Sequence, residues 1–172
     1  MGEVTTNVIS NSALLAEVSQ FIYREARLQD EHQYDAWEAL WTDDGIYWVP
    51  ASGTTSDDPE TCMSIIYDNR SRIALRIRQF HTGRRYSQIP VSRLSRVVSN
   101  IEIIEQVGDK AGDTIRVGTA ALVFESAHRG EVLWPSRNEY VLRRINGELR
   151  MAVKKVVLTN NDKDLLTMAF LI

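Results

Sequence analysis

The chain has one cysteine, Cys62, in 172 residues. One cysteine excludes a disulfide framework, and a reducing compartment is the expectation. Charge of one sign is also scarce: 20 Lys and Arg against 23 Asp and Glu leave a net charge of -3. Grip on nucleic-acid phosphates needs a basic excess, so that class of partner is not expected. No run approaches 18 consecutive apolar residues, which removes a membrane-spanning helix. Met1 to Asn11 is polar and has no apolar stretch of the secretory kind, so the expected location is the cytoplasm. There are three histidines and four prolines, and no internal repeat or low-complexity tract.

What is present is the balance of a soluble globular protein, 44% hydrophobic and 25% charged. The length suits a single domain over residues 1–172. Residues 1–11 read as a flexible N-terminus, 12–42 as helices, 93–158 as the main sheet and 159–172 as an apolar tail. A first helix is expected from Ser12 to Leu28, because Leu14, Leu15, Val18, Phe21 and Ile22 recur every three or four residues. A second runs from Gln33 to Trp41, ended by a turn at Asp43-Asp44-Gly45. Ile46 to Val49 is a short strand stopped by Pro50. Asn69 to Phe80 is read as a helix capped by Asp68 or Asn69. Strands follow at Arg93–Ile104, Thr114–Ala127, Leu133–Ile145 and Leu149–Leu158, and Asn146-Gly147 joins the last two as a tight hairpin. Alternation in the last strand changes parity, which predicts a β-bulge near Lys154–Lys155. Helices followed by hairpin-connected strands give an α+β fold, with N-terminal helices on a curved, largely antiparallel sheet. That is the cone of the nuclear transport factor 2 and ketosteroid isomerase superfamily.

The search for chemistry starts with metals. An iron–sulfur centre held by two Cys and two His is impossible with one cysteine, and structural zinc fails alike. A mononuclear iron site needs two His and a carboxylate, and the spacing of His32, His81 and His128 brings no two together. No nucleophile elbow, phosphate loop or dinucleotide fingerprint occurs. Acid–base chemistry in a cone pocket is the serious enzymatic alternative. Asp30, His32, Asp43 or Asp44 could act with Tyr23, Tyr47 or Tyr67 in an isomerase or dehydratase. Turn and cap chemistry accounts for the same aspartates. A pocket that binds a small molecule without chemistry is a third reading. Arg70, Arg72, Arg76 and Arg78 fit a solvated helix face. Arg93 and Arg96 begin a core-like strand and fit an ion pair, within the chain or with a partner. The segment Leu165 to Ile172 is apolar and must be covered by its own domain or by a partner. Interface candidates are therefore Arg93, Arg96, Leu166, Phe170, Leu171 and Ile172. No residue is nominated as catalytic, cofactor-binding or metal-ligating.

Four blocks in order resemble one family. The first is Phe21 to Pro50, with Tyr23, Arg24, Glu25, Ala26, Leu28, Asp30, Tyr34, Trp37, Asp44, Tyr47, Trp48 and Pro50 at the matching positions. The second is Tyr67-Asp68-Asn69-Arg70, continuing to Thr82-Gly83-Arg84. The third is Pro90 to Ile101, where Ser95 or Arg96 stands in place of a histidine common in the family. The fourth is Lys154 to Leu158 with Asn160-Asn161-Asp162 and the apolar end. Together they resemble the small (β) subunit of bacterial aromatic-ring-hydroxylating dioxygenases, and the text around Tyr67 and the short N-terminus are similar to the benzoate-like branch. The resemblance implies the cone fold and a cofactor-free subunit. It implies a larger α subunit carrying a [2Fe-2S] Rieske cluster and mononuclear Fe(II), typically in an α3β3 hexamer. It also implies electrons from NAD(P)H through a reductase, sometimes with a ferredoxin, and cis-dihydroxylation of an arene.

Overall fold

The computed structural model describes residues 3–51, 58–84, 89–108 and 114–172, with side chains from residue 12 onward. Helix α1 (Glu3–Asp30) begins earlier than its apolar stripe does. Its buried positions are Val18, Phe21, Ile22, Glu25, Ala26, Leu28 and Gln29. All but Leu28 follow one three-and-four ladder, so one face of the helix is inward and two of its members are polar. His32, at φ 55°, takes the left-handed conformation that stops the helix. Helix α2 (Tyr34–Glu38) is a single turn. It is shorter than expected because Trp41 opens strand β1 (Trp41–Pro50).

Asp43-Asp44-Gly45 is likewise no helix end but an interruption inside β1. The strand pairs at Trp41 with Met151 and again at Ile46 with Val153, so four residues on one side face one on the other. Gly45 is required there by contact, since a β-carbon would come within 2.7 Å of the Trp41 ring. Strand β2 (Ser64–Asn69) pairs antiparallel with β1 and was not anticipated. Helix α3 (Arg70–His81) follows at once, and the Asn69 side chain accepts a hydrogen bond from the Arg72 amide at 3.1 Å. Arg70 and Arg76 do more than face solvent. They pair with Glu38 and Asp68 at 2.7 and 2.6 Å.

Strands β3 (Arg93–Val107), β4 (Thr114–Ala127), β5 (Gly130–Ile145) and β6 (Glu148–Leu158) complete one sheet of order β2-β1-β6-β5-β4-β3. Every pairing is antiparallel except β1 with β6. The hairpin at Asn146-Gly147 has φ of 51° and 85°, the left-handed pair that matches strand twist. Two bulges in β3, one at Asn100 with φ 52°, bend the sheet.

The bulge in β6 lies upstream of the expected place. Met151 faces Leu142 and Val153 faces Val141, which leaves Ala152 as the extra residue. Parity therefore changes before Lys154, and Lys154 points inward with 1% of its surface exposed. The inner face carries Ile115, Val117, Val123, Trp134, Tyr140, Leu142, Met151, Val156 and Leu158, covered by the helices. Trp37, Trp41 and Tyr47 meet edge-on or tilted within the core at 5.4 to 6.0 Å between ring centres. The loops expected at Ala51–Glu60, Arg84–Pro90 and Gly108–Asp113 lie partly outside the described residues.

Candidate functional site

Polar groups from five elements enter the interior of the cone. Helix α1 supplies Glu25 and Gln29, β1 supplies Tyr47, β5 supplies Tyr140, and β6 supplies Lys154. Glu25 Oε1 accepts hydrogen bonds from the Trp37 indole at 2.6 Å and from Lys154 Nζ at 2.8 Å. Tyr140 reaches the other carboxylate oxygen at 3.5 Å. Lys154 also donates to Gln29 Oε1 at 3.2 Å and lies near the faces of Tyr47 and Tyr140. Arg96 enters from β3. Its Nε lies 2.7 Å from Asp30 Oδ1, its backbone amide donates to Asp30 Oδ2 at 2.9 Å, and it also donates to Gln29 Oε1.

Two cations and two carboxylates thus meet in a nearly dry interior, and each has a partner. Burial pulls the Lys154 ammonium down to about 8, against the pull of Glu25 in the other direction. Burial raises the Tyr47 and Tyr140 hydroxyls well beyond the ordinary phenol range. Both remain protonated donors at any working pH. The tail enters the same interior. Phe170, Leu171 and Ile172 are 3%, 1% and 3% exposed. Ile172 shares two hydrogen bonds with Tyr47, and Phe170 stands edge-on to Trp134 at 5.6 Å.

Of the acid–base groups named from the sequence, only Asp30 and Tyr47 reach this interior. Asp30 is tied to Arg96. His32 bridges the Ser92 carbonyl and the Tyr34 hydroxyl at 3.0 Å each. Asp43 is exposed. Asp44 is held by Arg143 at 2.9 and 2.7 Å, and this hydrogen bonding lowers its carboxyl below the ordinary range. Tyr23 is exposed, and Tyr67 donates to Glu60 at 2.8 Å. Of the named tyrosines only Tyr47 lines the interior, where it serves the tail. The sequence reading missed Glu25, Gln29 and Lys154. The signal for the first two was present, since Glu25 and Gln29 continue the stripe of Val18, Phe21 and Ile22. Among the described residues no group of three or more His, Cys, Asp or Glu could hold a metal ion.

The six interface candidates divide. Arg96, Phe170, Leu171 and Ile172 are engaged within the chain, as above. Arg93 and Leu166 are exposed. Arg93 sits on the face of the sheet away from the helices, beside a set of uncovered apolar side chains. There Val97 pairs across strands with Leu122, and Phe124 with Leu133. These four are 66%, 40%, 37% and 56% exposed.

A protein family described as ring hydroxylating beta subunit matches residues 24–163. The chain belongs to the ring-hydroxylating β-subunit family. The match spans every element just described except the start of α1 and the end of the tail. The chain is 30% identical over 146 residues to the small oxygenase component of the p-cumate 2,3-dioxygenase system of Pseudomonas putida, covering 83% of this chain and 78% of that one. It is 37% identical over 93 residues to toluate 1,2-dioxygenase subunit beta of Pseudomonas putida, covering 52% of this chain and only 57% of that one. The fold matches the crystal structure of the beta subunit of benzoate 1,2-dioxygenase from Burkholderia mallei, with a TM-score of 0.71 and 24% identity over 91% of this chain and 96% of that one. The cone expected from the sequence is therefore the fold observed. A helix long and apolar enough to cross a membrane does not occur among the described residues.

Proposed function

We propose that this chain is a non-catalytic scaffold of an aromatic-ring-hydroxylating dioxygenase. It binds a larger α subunit that carries a [2Fe-2S] Rieske cluster and mononuclear Fe(II), in an α3β3 assembly in the cytoplasm. A reductase, with or without a ferredoxin, delivers electrons from NAD(P)H to that α subunit. The substrates in the names of the relatives, p-cumate, toluate and benzoate, are aromatic carboxylates. That class is the first to offer the assembled enzyme.

One observation carries the scaffold reading beside the family match. The groups of the cone interior that could act as acid or base are taken up by the chain's own ion pairs and by its tail. This chain's contribution is then a surface. The exposed set Val97, Leu122, Phe124 and Leu133, edged by Arg93, is the proposed contact, with Leu166 as a second point. Apolar side chains in adjacent cross-strand pairs, bordered by an arginine, have the composition of an interface core and rim.

The test is co-expression with the large subunit, then size-exclusion chromatography with light scattering and iron quantitation. One species at equal stoichiometry, with iron only when the large chain is present, is the expected result. A metal-free oligomer that ignores the large subunit overturns the reading.

A further inference from the structure

Residues 159–172 belong to no helix or strand, yet the last three are as buried as the core. A segment without a ladder must satisfy its backbone polar groups in another way. Here side chains from three elements and from the turn between β4 and β5 do so. Tyr47 Oη accepts the Ile172 N–H at 2.9 Å and donates to the Ile172 main-chain oxygen at 2.8 Å. Gln29 Nε2 donates to the same oxygen at 3.3 Å. Arg96 Nη2 donates to the Leu171 carbonyl at 2.9 Å. Further back, Arg129 donates to the Thr167 carbonyl at 2.6 Å. Phe170 lies against Trp134. Trp134 is itself fixed by its indole N–H donating to Glu125 at 3.0 Å.

We propose that the cone mouth is a peptide-recognition site whose ligand is this chain's own Phe170-Leu171-Ile172 segment. It is built as such sites are built: polar side chains grip the main chain, and one apolar pocket reads a side chain. Main-chain contacts at Leu171 and Ile172 set the register, and the Trp134 pocket selects the residue at Phe170. Gln29 and Arg96 are shared with the interior ion pairs. Their amide and guanidinium groups lose an acceptor when the tail leaves, so docking of the tail and order in the charge network rise and fall together. The ligand class is a short, extended, apolar peptide with an aromatic residue just before the two residues whose main chain is gripped. This holds whether or not the assembly reading above is right.

The experiment uses the full chain, co-expressed with its large subunit where needed for yield. Phe170→Ala weakens the tail, and a synthetic peptide of residues 165–172 is then added at up to 1 mM. The expected result is a saturable rise in Tm with the native peptide and none with the same peptide carrying Phe170→Ala. An equal response to both peptides, or none to either, overturns the proposal. Tyr47→Phe is the gentler companion, since it keeps the ring and removes only the hydroxyl. It is expected to speed hydrogen exchange at the Leu171 and Ile172 amides at least tenfold while β6 amides stay protected. Tail and β6 amides that accelerate together, or tail amides that do not change, count against a separable site.

Discussion

Lys154 is a full positive charge placed 1% exposed inside a sheet, and its value rests on its neighbour. Replacing it with methionine removes the Nζ hydrogens that Glu25 and Gln29 accept, which the amine keeps whether charged or neutral. Loss of one member of a buried pair costs about 3–5 kcal/mol. Lys154→Met is therefore expected to lower stability by that order in urea unfolding. The double variant Lys154→Met with Glu25→Leu is expected to lose much less than the sum, because two well-packed apolar groups replace a desolvated pair. Simple addition of the two effects would show that the pair does not act as a unit. The pH response follows from the same burial. The folded amine releases its proton at about 8, and the unfolded one holds it to about 10.5. Between those values the unfolded chain binds more protons, so stability is expected to rise as pH climbs from 8 towards 10. The Lys154→Met variant should lack that rise. None of this was readable from the text around Lys154. Lys154-Lys155 in sequence looks like a solvated pair, and only the extra residue at Ala152 decides which of the two turns inward. Glu25 was legible in principle, as a carboxylate on an apolar ladder.

At the scale of elements, the periodic segments were the legible ones. α3, β4 and the Asn146-Gly147 hairpin fall where spacing and turn chemistry put them, because each is set by local residues. The failures are places where a distant partner decides. Asp43-Asp44-Gly45 has turn chemistry, but β6 runs beside it and converts the turn into a bulge. β2 was missed because it is six residues long and has Ile65 and Ile66 side by side, which blurs alternation. The β1 bulge gives a clean prediction. Gly45 has an ordinary backbone, and its constraint is the Trp41 ring at 2.7 Å from a would-be β-carbon. Gly45→Ala is expected to cost about 1–3 kcal/mol as an overpacking change, read as a fall in the denaturation midpoint. On a Trp41→Leu background, itself destabilised by the lost ring, Gly45→Ala should cost much less, and an unchanged cost would locate the strain in the backbone instead.

At the scale of the whole molecule, the chain has two kinds of surface. One interior is taken up by the chain's own ion pairs and tail, and one sheet face is apolar and open. Phe124→Asp together with Leu133→Asp is expected to abolish co-purification with the large subunit, because a desolvated carboxylate pair at an interface core is strongly unfavourable. The chain alone should keep its Tm within a few degrees, since both side chains already meet solvent. Retained co-purification would move the contact elsewhere on the molecule. The sequence showed every strand but β2, and it did not show which face stays bare. Exposure depends on how far the helices reach over the curved sheet, and no local pattern records that.

The parallel pairing of β1 with β6 has a consequence in time. β1 ends at Pro50, and its neighbour on that side begins at Glu148. A ribosome must therefore make nearly a hundred further residues before β1 has both of its strands beside it, and the tail that enters the interior comes later still. Until then the emerging chain holds Trp37, Trp41 and Tyr47 without their final cover. Long-range pairing of this kind slows folding and prolongs exposure to wrong contacts. Completion of the cone is thus a late event in the synthesis of the chain.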